Sequence, residues 1–289
     1  MSSLAGRRIE LWVEPRGGRA AVNPVMAKLL ERLAAEGMEV AVRVPESEVS
    51  DAELGDRRTR PPDLVLLKSA TSLAMTIAVA EERAGIRFLN PAAVSLAAHD
   101  KAGTIARLAA AQLPVPLTYL AAPGVALTAR PGGGGLGWVA KPVRGLHGAG
   151  IAAGATPAEA LAAATPVRGA DWVVDDGTQL LQSRVGDLVD DDLKVYVAGE
   201  KVFAALKRPG PGSHLTDAHL RTDLDTQTLA IVRRAGRALG LRCYGVDLRV
   251  ADGQPWIIDV NPFPGYRGLP EAVEALRTEV VRALSGEGL

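Results

Sequence analysis

Apolar and polar positions along the first third of the chain alternate between two periods. Residues 8–14 read as a strand, residues 23–36 as an amphipathic helix closed by Gly37, and residues 38–44 as a second strand, which together predict a βαβ unit. A third strand is expected over 63–67 (DLVLL), a helix over 71–84 and a short strand over 87–89, with residues 45–62 a mobile, proline-bounded loop. Asp100-Lys101 opens a helix to about residue 112, and two prolines then lead into an extended segment. Strands follow at 138–143 (WVAKPV) and 179–185 (QLLQSRV), with the tract 132–135 a flexible turn. From 192, Asp192, Lys194 and Tyr196 alternate with Leu193, Val195 and Val197, predicting a strand with one charged face that turns at Gly199-Glu200 into a partner ending at Arg208. A helix over 226–239, with Gly240 as its C′ residue, precedes a hairpin over 244–262 whose turn is Asp252-Gly253. The order of the first third predicts a small α/β layer.

Composition narrows the classes. The 289 residues are 47% hydrophobic, enough for about two domains, and 33 basic residues balance 33 acidic ones. That balance gives no global field for nucleic acid or an anionic membrane. No apolar run approaches the roughly 20 residues of a membrane span, and no signal-peptide core is visible, so a cytoplasmic setting is expected. Cys243, the single cysteine, sits in an apolar strand and reads as a packed side chain.

Chemistry concentrates in the terminal hairpin. Asp259 and Asn261 are two apart on one strand and share a face, and Asp247 can lie across the ladder from them. Two carboxylates about 4 Å apart repel by roughly 4 kcal/mol at an effective dielectric of 20. A hard cation such as Mg2+ suits this oxygen-only set. The plainer reading is a hairpin whose acids face solvent or pair with Arg249. Lys141, inside an apolar strand, calls for an anion such as phosphate, unless the strand is a solvated edge. Gly145, Gly148 and Gly150 let backbone approach phosphates, as a simple loop tip also would, and His147 reads as an exposed loop residue. Lys194, Lys207 and Arg208 suggest a basic face opposite the hairpin; a solvated face with Asp192 and Lys194 paired is the alternative.

Taken in order, Asp100-Lys101, Lys141-Pro142, the glycine loop, the Gln182 strand, Asp192-x-Lys194, Arg208, Asp247 and Asp259-x-Asn261-x-x-Pro264-Gly265 resemble the ATP-grasp superfamily from about residue 91 onward. The resemblance implies a Rossmann-like α/β pre-ATP-grasp domain over 1–98 followed by two α+β lobes, one carrying the glycine loop over 99–185 and one binding metal over 186–289. It implies that ATP meets Lys101, Lys141, Gly145, Gly148 and Gly150, with Gln182, Ser183, Arg184 and Val185 as hinge, while Asp247, Asp259 and Asn261 hold Mg2+, or Mn2+ in its place. The hinge lacks the usual glutamate, leaving Asp187 or Asp190 for the ribose. The segment from Asp259 to Gly268 is similar to RimK-like glutamate ligases, although aspartate stands at 259 for their glutamate and Lys194 for their arginine. It is also similar to inositol polyphosphate kinases, which use Asp-x-Asn followed by Phe-Pro-Gly-Tyr. The ligase branch implies carboxylate activation as an acylphosphate and attack by an amine. Lys194, Arg208 and Arg249 would then be catalytic, Arg249 and Arg267 would hold the acidic substrate, and the glycine loop would close as a lid. Small-molecule or peptide acids and amines are the implied partners, with a homodimer or homotetramer as assembly; nucleic acid and membrane are not expected. A kinase of a small anionic alcohol and a non-catalytic nucleotide-binding domain are the competing readings.

Overall fold

The computed structural model describes residues 4–48, 60–122, 135–144, 150–164, 177–186, 192–207 and 223–286. Its first layer is a parallel sheet in the order β4-β1-β5-β6, formed by β1 (Arg8–Trp12), β4 (Glu39–Arg43), β5 (Leu64–Leu67) and β6 (Phe88–Leu89). β5 is buried along its whole length, as expected of a parallel strand covered on both faces. Between β1 and β4, a two-stranded ribbon of β2 (Pro15–Arg16) and β3 (Arg19–Ala20) turns on Gly17 and Gly18, both at positive φ, and helix α1 (Pro24–Ala35) follows. The Asn23 side chain caps α1, Pro24 occupies the first turn, and Val25, Met26, Leu29, Leu30 and Leu33 form its buried stripe. Helix α2 (Ser72–Arg83) is capped by Thr71.

Two antiparallel sheets complete the frame. One, in the order β7-β10-β8-β9, comprises β7 (Thr118–Ala121), β8 (Trp138–Pro142), β9 (Ala152–Gly154) and β10 (Gln179–Ser183), backed by α5 (Pro157–Ala163). The other, β12-β11-β13-β14, comprises β11 (Asp192–Ala198), β12 (Lys201–Lys207), β13 (Cys243–Ala251) and β14 (Gln254–Pro262), with α6 (Thr226–Leu239) and α7 (Ala272–Ser285). Helices α3 (Ala92–Ala98) and α4 (Lys101–Ala110) link the layers.

The main hydrophobic core joins the parallel sheet to the last sheet. Ile9, Leu29, Leu64, Tyr196, Tyr266, Leu276 and Val280 belong to one cluster. Asn90 reinforces the joint: its Oδ1 accepts from the N–H groups of Arg242 and Cys243 at 2.9 and 2.8 Å, and its Nδ2 donates to the Cys243 carbonyl at 2.7 Å. Arg87 donates to the carbonyls of Ala283 and Leu284 at the end of α7.

Several expectations need correction. The 45–62 segment holds a 3-10 turn at Pro45–Ser47, with Pro45 buried and the Glu46 carboxylate accepting from Thr71; residues 49–59 lie outside the described residues, as do 132–134 of the glycine tract. Helices α3, α5 and α7 were not expected. Tyr196 does not lie on a solvated charged face, because that face of β11 packs against the parallel sheet and α7.

Candidate functional site

The register of the last sheet sets one row of side chains. Lys194 on β11 pairs with Asp247 on β13, and Asp247 pairs with Asp259 on β14. The ladder is irregular between Asp247 and Leu248: Leu248 faces Ile257, so Ile258 is the extra residue. That bulge keeps Asp259 beside Asp247 while Ile257 turns into the core. It also frees the Ile258 carbonyl, which accepts from Lys141 Nζ on β8 at 2.9 Å. Lys141 is 4% exposed, and burial lowers its pKa to about 8 against the pull of Asp259.

Each acid already has a lysine. Lys194 pairs with Asp247, and Lys101 at the start of α4 pairs with Asp259 at 3.1 Å. Burial alone would raise the Asp259 carboxyl, but Lys101, Lys141 and Lys194 outweigh it and hold it below the usual range. Residues far away in sequence thus supply countercharge to both carboxylates. Asn261 Nδ2 stands 3.4 Å from Asp247 Oδ2 as a donor. Among the described residues no three His, Cys, Asp or Glu side chains group as a metal cluster. The donor set for a cation is two carboxylates and the Asn261 amide oxygen, a number that Mg2+ accepts when water and phosphate oxygens complete its shell.

The structure brings Lys101, Lys141, Lys194, Asp247, Asp259 and Asn261 together at the meeting of the two antiparallel sheets. Arg249 is engaged elsewhere: its Nε donates to Asp192 at 2.7 Å and its Nη1 approaches the Val185 carbonyl at 3.4 Å. Within the hinge, Gln182 is buried and its amide donates to Thr118 on β7, Ser183 N–H donates to the Leu117 carbonyl, and Arg184 N–H donates to the Gly137 carbonyl. Arg267 lies in the loop after β14, beyond Tyr266, whose hydroxyl donates to the Val197 carbonyl at 2.5 Å. Gly150 lies at the edge of the described glycine segment; Gly145, His147, Gly148, Asp187, Asp190 and Arg208 lie outside the described residues, and so does the side chain of Lys207. Cys243 is fully buried, as expected, and burial pushes its thiol up.

Sequence reasoning missed His99 and Lys68. Burial drops His99 to about 4, aided by Lys101 and Lys68 against Asp259 and Glu14, so the imidazole is neutral. Lys68 directly follows the apolar strand 64–67, at the carboxyl end of a parallel sheet where ligands commonly sit. That position was the available signal.

No family model matches the chain. Over 98% of its length it superposes on a RimK-domain ATP-grasp protein from Sphaerobacter thermophilus, covering 99% of that chain with a TM-score of 0.68 at 17% identity. The chain has the ATP-grasp fold. A D-alanine–D-alanine ligase from Bacillus anthracis, solved with ATP, shares this ATP-grasp architecture with a TM-score of 0.68, at 15% identity over 97% of this chain and 98% of that one. In sequence, a probable alpha-L-glutamate ligase from a Picosynechococcus species is 30% identical over 142 residues, which are 47% of this chain and 46% of the relative. The chain thus spans under half the length of the curated relatives it matches. No helix among the described residues is long and apolar enough to cross a membrane.

Proposed function

We propose that the chain is an ATP-dependent carboxylate–amine ligase, with lobes over 1–98, 99–185 and 186–289. The observation that carries this reading is the row Lys194, Asp247, Asp259 and Lys101, with Lys141 reaching it from the opposing sheet. Lys141 from the opposing sheet and Lys101 from α4, facing oxygen donors on β13 and β14, suit a nucleotide's phosphates and their Mg2+. Asp247, Asp259 and Asn261 would hold Mg2+, which when bound neutralises phosphate charge. Lys101 and Lys141 orient the phosphates and keep countercharge in a site withdrawn from water, where it acts strongly. Lys194 holds the Asp247 carboxylate in position.

The chemistry is the joining of an acid to an amine with ATP as the energy source. Curated relatives named alpha-L-glutamate ligase support an amino acid as one substrate and favour a ligase over a kinase of an alcohol. A cytoplasmic setting fits the use of ATP. The test is incubation with ATP, Mg2+ and a panel of amino acids, carboxylates and small anionic alcohols. ADP and free phosphate released only when acid and amine are both present is the expected result; a phosphorylated alcohol made without free phosphate would overturn it.

A further inference from the structure

The chain passes from the sheet of β10 to the sheet of β11 through residues 186–191, and one side chain holds both ends of that connection. Arg249 Nε donates at 2.7 Å to Asp192, the first residue of β11, and Arg249 Nη1 donates at 3.4 Å to the carbonyl of Val185, two residues past the end of β10. Gly186, at φ 65°, turns the chain directly after Val185. Register explains the placement. Leu193 pairs with Leu248, so Asp192 and Arg249 stand one step farther along the same ladder, on the face that carries Lys194 and Asp247. The Arg249 side chain is 14% exposed and that of Asp192 29%, so water screens the pair only in part.

Two ties between sheets set an orientation where one would leave a pivot. The second tie is Lys141 on β8, which donates to the Ile258 carbonyl on β14 at 2.9 Å. Together the two join the end of β10 to β13 and β8 to β14, at separate levels of the sheets. Leu180 pairs with Lys141, and Ser183 lies three residues farther along β10, about 10 Å at the rise of an antiparallel strand. The hinge over 182–185 thus stands a sugar and a base away from the lysines proposed for the phosphates. Arg249 is in turn two residues along β13 from Asp247, so the clasp and the metal row share one strand. A planar guanidinium can hold two acceptors at once in fixed geometry, which an ammonium on a flexible stem does not.

We propose that Arg249 is a positioning residue for the nucleotide: by clasping Val185 and Asp192 it fixes the hinge against the row of Asp247 and Asp259, so that base and phosphates are gripped at one spacing. This role is distinct from holding the acidic substrate, because the guanidinium acts through the hinge. That the hinge meets the nucleoside rests on the ligase reading; the clasp between the two sheets does not.

The test is calorimetric titration of the full chain with a non-hydrolysable ATP analogue and with inorganic tripolyphosphate, each in the presence of Mg2+, alongside steady-state kinetics. Arg249→Met is expected to weaken the analogue about tenfold while leaving tripolyphosphate as it was, and to raise the KM for ATP while the KM values for acid and amine hold. Arg249→Lys keeps the charge but loses the two-point grip, and is expected to weaken the analogue about fivefold. Asp192→Asn is expected to weaken it about threefold, and combining it with Arg249→Met is expected to bring no further loss. Unchanged affinity for the analogue in Arg249→Met, an equal loss for tripolyphosphate, full retention in Arg249→Lys, or a rise in the acid KM alone would overturn the proposal. Analogue binding that depends on Arg249, with no ATP consumed in the presence of any acid and amine, would instead overturn the ligase reading and leave the clasp standing. ATP consumed with acid and amine, at an analogue affinity indifferent to Arg249, would do the reverse.

Discussion

Burying the Lys141 ammonium has a measurable consequence for a single side chain. The fall from the ordinary 10.5 to about 8 corresponds to roughly 3 kcal/mol of disfavoured charge at neutral pH. Between pH 8 and 10.5 the folded chain holds fewer protons at this site than the unfolded chain, so stability from this group rises with pH across that window and the penalty is full below it. Lys141→Met is therefore expected to raise stability at pH 7 by about 1–3 kcal/mol in urea unfolding while removing ATP turnover. A less stable variant would show that the bond to the Ile258 carbonyl outweighs the burial. The same residue illustrates what sequence offers: a lysine flanked by Ala140 and Pro142 announces that something must meet it, but the partner, a carbonyl 117 residues later, cannot be read from its neighbours.

At the scale of elements, the joint between β6 and β13 depends on one amide. Asn90 supplies three hydrogen bonds that a strand would otherwise supply, in a fully buried setting. Asn90→Ala leaves those backbone groups without their partner and is expected to cost about 3 kcal/mol or more by urea unfolding. Asn90→Asp keeps the acceptor but opposes an oxygen to the Cys243 carbonyl, and is expected to be destabilised as well. A change below about 1 kcal/mol in both variants would show that the two layers hold together without the amide. The hairpin over β13 and β14 was legible because Asp252 and Gly253, both at positive φ, punctuate a regular alternation. Helix α5 had a readable signal, the capping box of Thr156 and Glu159. Helix α7 had one too, in the spacing of Val273, Leu276, Val280 and Leu284 with Gly286 closing it at positive φ, although Glu279 interrupts that stripe as a buried charge paired with Arg242 at 2.7 Å. Its countercharge comes from another element, so local periodicity misreads it.

Across the whole molecule, a second buried carboxylate sets a slope of stability against pH. Burial raises Glu81 to about 7, with Glu10 and Glu48 adding to the effect and Arg43, 3.0 Å away, opposing it. The folded chain holds this proton more tightly than the unfolded one, so the contribution is present below about 4.5 and is lost as pH rises through about 7. Calorimetry is expected to show Glu81→Gln gaining thermal stability over the parent chain as pH rises from 5 to 8; a constant gap would remove the assignment. The α/β plan of the first layer was visible in the chain because its strands and helices carry their own periodicity. The site was visible only in part, since Asp247, Asp259 and Asn261 belong to one hairpin whereas the pairing of Lys101 with Asp259, and the nearby His99 and Lys68, come from other layers.

The extra residue at Ile258 carries an implication for how this chain can change. Removing it would give a straighter, better-paired ribbon in which Leu248 still faces Ile257 and Asp247 still faces Asp259. What would go is the oxygen that Lys141 now touches, leaving a buried ammonium without that partner. What the extra residue supplies is thus a carbonyl for Lys141, and lengthening the turn around Asp252 and Gly253 would leave that contact and the acidic row in place.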